Sequence, residues 1–173
     1  GTQTIVSQDN DTATVSFVSG TSATTEGGTA ASVGVQLIVT ANGVPNFGTL
    51  GSNVTVNVQS AASPLDVTLP GTITFTAGSN TGTQFVNVAA VNDLIVEGTE
   101  TATLTLGGLT NGGTAVNQAG GNNTLTITDD DSAALSFASA NSGTATENGT
   151  NAAVGVTPRA RAVAPMDCAG SGS

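Results

Sequence analysis

The chain is 173 residues long and carries 12 Asp and Glu against two Arg, with no Lys and no His, for a formal net charge of −10. Hydrophobic residues make up 38% of it and charged residues 8%, so it can bury a core but has almost no basic surface. That balance excludes nucleic acid, whose phosphates need Lys or Arg to displace counterions, and the lack of His excludes a Ser-His-Asp triad and imidazole-bound zinc. No run reaches the ~20 apolar residues of a membrane-spanning helix, so no membrane insertion is expected. No signal-peptide order opens the chain. The single cysteine, Cys168, permits no internal disulfide. A surface rich in Thr, Ser, Asn and Gly suggests an extracellular or cell-surface location.

Thr, Val and Gly dominate and strong helix formers are scarce, which favours strands divided by turns. In chain order, period-2 alternation predicts seven strands. Segment 12–19 puts Val15 and Phe17 on one face, and 32–40 does the same with Val33, Val35, Leu37 and Val39. Segment 53–60 offers Val54, Val56 and Val58; 72–76 offers Ile73 and Phe75; 84–91 offers Val86, Val88 and Ala90. The last two are 101–106, with Ala102, Leu104 and Leu106, and 123–128, with Leu125 and Ile127. The residues between are mostly polar, the pattern of half-buried strands. Short strands with no helical crossover between them point to an all-β sandwich or barrel, and the sandwich is the expected form.

The chain repeats itself. Asp9-Asn10-Asp11-Thr12-Ala13-Thr14-Val15-Ser16-Phe17 returns as Asp129-Asp130-Asp131-Ser132-Ala133-Ala134-Leu135-Ser136-Phe137, and Val33-Gly34-Val35 returns as Val154-Gly155-Val156. The boundaries follow from this spacing. Residues 1–11 are read as the last strand of a preceding module, 12–131 as a complete module, and 132–156 as the truncated start of a following one. Residues 157–173 no longer follow the pattern and are read as an irregular tail.

The acids avoid the strands. Glu26 lies in the first inter-strand loop and Asp66 in the third; Asp93, Glu97 and Glu100 lie in the fifth, and Asp129, Asp130 and Asp131 follow the seventh strand. Alternate connections of an up-and-down fold emerge at one pole, so all eight carboxylates are expected together. Two carboxylates about 5 Å apart repel by roughly 3 kcal/mol at an effective dielectric near 20. Such a cluster either raises its pKa values or binds a cation. Hard oxygen donors without His or Cys select Ca²⁺, and eight carboxylates exceed the needs of one ion.

The loop Val91-Asn92-Asp93-Leu94-Ile95-Val96-Glu97-Gly98-Thr99-Glu100-Thr101, followed later by Leu125-Thr126-Ile127-Thr128-Asp129-Asp130-Asp131, resembles the Calx-β family. Asp66 followed by Gly71-Thr72-Ile73-Thr74-Phe75, and Glu26-Gly27-Gly28 in the first loop, are similar to further elements of that family. The resemblance covers all of 12–131. It implies a seven-stranded immunoglobulin-like antiparallel β-sandwich with several Ca²⁺ ions at the pole facing the next module. The implied metal ligands are Glu26, Asp66, Asp93, Glu97, Glu100, Asp129, Asp130 and Asp131. Asn92 departs from the family pattern, where calcium-binding members often have a second Asp. Asp9 and Asp11 fall to the preceding module's site and Glu147 to the following one.

The expected function is therefore that of a calcium-binding structural or adhesion module in an extracellular tandem-repeat protein, its partners being the neighbouring modules of the same array. Ions at the acidic pole would stiffen the joint between modules. The alternative is a filament or surface-layer subunit that self-associates by β-strand exchange. No enzyme activity is expected: two carboxylates suffice for glycoside hydrolysis, but the chain has no Trp or Tyr to form a sugar platform.

Overall fold

The computed structural model describes residues 2–5, 9–60, 66–110, 115–138, 147, 149 and 154–161. Asp167, Cys168 and the rest of the tail from 162 onward lie outside the described residues. The described chain is all-β, with two main sheets. In the first, β1 (Thr12–Phe17), β3 (Ala31–Ala41) and β8 (Thr81–Ala90) lie side by side, with β10 (Val116–Gln118) and β6 (Val67–Thr68) at its edges. The short β4 (Val44–Pro45) folds back on β3. In the second, the order is β2 (Thr21–Thr25), β11 (Asn123–Thr128), β9 (Glu100–Thr110), β5 (Val54–Ser60) and β7 (Ile73–Phe75).

Each of the seven predicted segments overlaps one strand of the main sheets (β1, β3, β5, β7, β8, β9 and β11), but four further strands, β2, β4, β6 and β10, lie outside them. After β1 the chain crosses at 18–20 and continues in the other sheet as β2. Likewise β6 precedes β7, and β10 precedes β11, each in the opposite sheet. The crossing after β1 is held locally. Ser19 Oγ accepts the Thr21 N–H, and the fully buried Asn123 donates through Nδ2 to the Ser19 carbonyl and accepts from Ser22 Oγ. Period-2 reading misses β2 because Thr-Ser-Ala-Thr-Thr has no large apolar residue to alternate. The first and seventh runs point the same way, so β1 with β10 and β2 with β11 pair in parallel. The remaining main-sheet strand pairs are antiparallel.

The core lies between the sheets. Val15, Val33, Val35, Leu37 and Val88 from the first face Val54, Val56, Leu104, Leu125 and Ile127 from the second, all in one buried cluster. Alternation therefore does what it predicts: one face of each strand is removed from water and the Thr, Asn and Gln face stays wet.

A separate two-stranded sheet joins β12 (Ser132–Phe137) to β13 (Val156–Arg161). Its register repeats that of β1 on β3. Phe17 faces Val35 and Thr12 faces Thr40, while Phe137 faces Val156 and Ser132 faces Arg161. The bond from Val18 N to the Gly34 carbonyl, 2.9 Å, returns as Ala138 N to the Gly155 carbonyl, 2.8 Å. The backbone equivalence thus runs to 161, five residues into the segment read as an irregular tail. It survives the sequence change because strand pairing uses backbone groups that every non-proline residue has. No described residues pack over this sheet, and Leu135, Phe137, Val154 and Val156 are exposed where Val15, Val33 and Val35 are buried. Residues 2–5, read as a strand equivalent to part of β11, form no strand. Their counterpart β11 lies between β2 and β9, and no such neighbours flank 2–5.

Candidate metal centre

Seven alternating runs bring the acid-bearing loops to one pole. β2 ends at Thr25 and delivers Glu26 there, tied by its N–H to the Thr128 carbonyl at the end of β11 (3.0 Å). Asp66 directly precedes β6, and its carbonyl accepts the N–H of Val91, the residue after β8 (3.0 Å). Asp93 and Glu97 lie in the loop from β8 to β9. Glu100 begins β9 opposite Ile127, two residues before Asp129.

Backbone amides orient the carboxylates. Asp129 accepts the Glu97 N–H through one oxygen and the Asp131 N–H through the other, the latter at 2.7 Å. Asp93 accepts the Ile95 N–H at 2.7 Å, and the Glu26 carboxylate accepts the Asp93 N–H. Glu26, Asp129 and Asp130 each present a carboxylate oxygen, and these atoms all lie within 4.8 Å of one another. Asp93 and Glu97 lie within electrostatic range of Glu26, and Asp66 and Glu100 within range of Glu97.

The electrostatic consequence is legible in two groups. Burial, then the Asp129 and Asp93 charges, push Glu26 above the ordinary carboxylate value, although the Asp93 amide pulls the other way. Glu97 is pushed up too, by lost hydration and then by Glu100, Asp93, Asp66 and Asp129. Because Glu97 is exposed, the neighbouring charges are the weightier cause. Both groups hold a proton more tightly folded than unfolded. The stability they contribute is present below the ordinary value of 4.5 and is lost as pH rises through the raised values. Metal-stripped protein is therefore expected to melt at a higher temperature in mildly acidic buffer than at neutral pH. Scanning calorimetry across a pH series checks this, and a melting temperature that climbs toward neutrality contradicts it.

Among the described residues, four buried side-chain oxygens have no hydrogen-bond donor: Asn92 Oδ1, Asp130 Oδ1, and both carboxylate oxygens of Asp131. Leaving a buried acceptor unmatched costs about 1–3 kcal/mol, and more when it is charged. A cation is the group that satisfies several such oxygens at once, and an all-oxygen set fits Ca²⁺ in particular. Gly27 opens the space. Its φ is 60°, and a Cβ there would sit 2.8 Å from Asn92 Oδ1 and 3.3 Å from Asp130 Oδ2. Gly27→Ala is expected to cost about 1–2 kcal/mol from the left-handed backbone alone, measured by urea unfolding. The added methyl should also weaken cation binding. Asn92 thus borders the same space as Asp130, although its side chain is neutral.

The class so defined is an all-β two-sheet sandwich with a carboxylate cluster at one pole. Among solved structures, the chain is similar to the crystal structure of the apo-form Calx CBD1 domain, at 17% identity and a TM-score of 0.46, over 68% of this chain and 97% of that one. It is also similar to CBD12 from CALX1.2 (20% identity, TM-score 0.45, 68% of this chain, 45% of that one). A third is the calcium binding domain CBD12 of CALX1.1 (18%, 0.46, 67% and 44%). No protein-family model and no curated protein matches the chain.

Proposed function

We propose that this chain is a calcium-binding structural module of the Calx-β type, from a tandem array on an extracellular surface or adhesion protein. The observation that carries the reading is the pair of donorless buried oxygens, Asn92 Oδ1 and Asp130 Oδ1, beside three converging carboxylates. Glu26, Asp129 and Asp130 would hold a first ion. Asn92, Asp131 and the acids of the 93–100 loop would complete it and share further ions. Bound Ca²⁺ supplies positive charge, not reactivity. It cancels the mutual repulsion of the pole and fixes the Asp129–Asp131 run that leads into β12. The repeated β1–β3 register in β12–β13 supports the tandem reading. So does the turn in which Asp11 N bonds Asp9 Oδ1 (3.0 Å), as Asp131 N bonds Asp129 Oδ1 (2.7 Å). Calorimetric titration with CaCl₂ tests the metal, and an absence of binding heat at millimolar calcium removes it from the account.

The second reading is self-association by strand exchange, favoured by the apolar face of β12–β13 that no described residue covers. A second copy of this chain would supply the cover. Sedimentation decides: this reading expects assemblies that grow with concentration, and a monomer at all concentrations sets it aside.

A further inference from the structure

We propose that the turn between β3 and β4, with Val44 and Phe47, is the surface by which each module docks on the acidic pole of the module before it. The proposal rests on the tandem reading above and names the partner of that pole.

The argument starts from the linker. Asp11, the third residue of the Asp9-Asn10-Asp11 run, accepts the N–H of Asn42 through Oδ1 at 3.3 Å. Asn42 and Gly43 form the β3–β4 turn, with φ of 51° and 77°. The linker's last acid is therefore fastened to the turn of the module it enters. The equivalent run at 129–131 makes the same internal turn and leads into the same strand pairing. Its first acid, Asp129, is fastened to the pole of the module it leaves, through the Glu97 amide. Taken as equivalents, the two runs place a contact to the pole behind and a contact to the turn ahead on one stretch of three residues. Two Cα steps span at most about 7 Å, so pole and turn are brought against each other.

The facing surfaces suit contact. Val44 and Phe47 are exposed on the turn side, Phe47 by 63%. On the pole side Leu94, Ile95 and Val96 are exposed within the acid loop, Leu94 by 71%. Aliphatic side chains displayed at the tip of a charged loop gain nothing from water, and an aromatic side chain presented opposite them would be covered with them. Both carboxylate oxygens of Asp131, the counterpart of Asp11, lack a donor here; the residue equivalent to Asn42, at 163, lies outside the described residues.

The sequence has no Trp or Tyr, so a single introduced indole reports alone. The full chain is compared with one in which a second copy of residues 12–131 is inserted after Asp131. Phe47→Trp is placed in the first module of the former and in the inserted copy of the latter, with calcium present. In the inserted copy the indole is expected to emit further to the blue, with its acrylamide quenching constant lowered by half or more. Leu94→Ser in the module before it is expected to restore the quenching. Val44→Trp serves as a second probe at the same turn. Equal quenching in the two positions with both probes overturns the docking. Calcium titration of the same proteins separates the two claims: a protected indole without calcium heat keeps the docking and removes the metal, and calcium heat with equal quenching does the reverse.

Discussion

Calcium is expected to raise the melting temperature of the metal-stripped chain by many degrees, and a chelator to return it. At a calcium concentration of ten times Kd, one site adds about 1.4 kcal/mol to the folded state. Extracellular modules bind with Kd of about 10⁻⁴ to 10⁻³ M, so the effect should saturate at millimolar calcium. For a domain of this size roughly 4 °C accompanies each kcal/mol, giving about 5 °C for one ion and about 10 °C for two. The core is aliphatic with few aromatic residues, so the ions are a large share of the net stability. A calcium-independent melting curve would be fatal to the proposed function, because among the described residues only Glu26, Asp129 and Asp130 converge closely enough to hold a cation.

The second large effect is a change of sign at Glu26. The residue is 8% exposed, and its carboxylate stands against Asp129, Asp93 and Glu97 without a basic neighbour in these loops. Without metal, Glu26→Gln removes that repulsion and keeps an oxygen to accept the Asp93 amide, so the variant is expected to melt above the wild type. With calcium, the same substitution removes one of the three converging carboxylates, and the variant is expected to melt below the wild type. Asp130→Asn, whose Oδ1 has no hydrogen bond to lose, should show the same crossing. Paired thermal melts in chelator and in calcium read the result directly. A Glu26→Gln protein less stable under both conditions would mean that the carboxylate is a structural hydrogen-bond acceptor and nothing more.

The pH response described for the stripped protein comes from the same charges. Protonation and calcium are alternative ways to relieve the pole, so calcium should flatten or reverse the loss of stability toward neutral pH.

Particular residues show where sequence reading succeeds and where it stops. Val33, Val35, Leu37 and Val39 alternate with polar neighbours over a long stretch, and β3 follows from them directly. Thr21–Thr25 gives no such signal, so β2 is invisible in the sequence. Yet β2 carries the chain across to the second sheet and delivers Glu26 to the pole. The loop assignment survives this omission because β2 continues β1 in the same direction and leaves the up-down alternation unchanged. At 157–161 the apolar pattern disappears while the strand remains, since β13 is held by backbone pairing to β12. Gly27 and Asn92 are not acids and stand out weakly in the sequence, although the space and the neutral oxygen they supply lie beside Asp130.

Sequence alone determined that this polypeptide forms strands with one apolar face each, and that its acids fall mostly outside them. Those properties are local: a side chain's burial in a strand depends on neighbours two residues away. Only the tertiary structure decided which oxygens meet. Glu26 and Asp129 are 103 positions apart (129 − 26), and their approach depends on β2 pairing in parallel with β11. It also decided which oxygens remain without donors, because that follows from where backbone amides point after the sheets have closed.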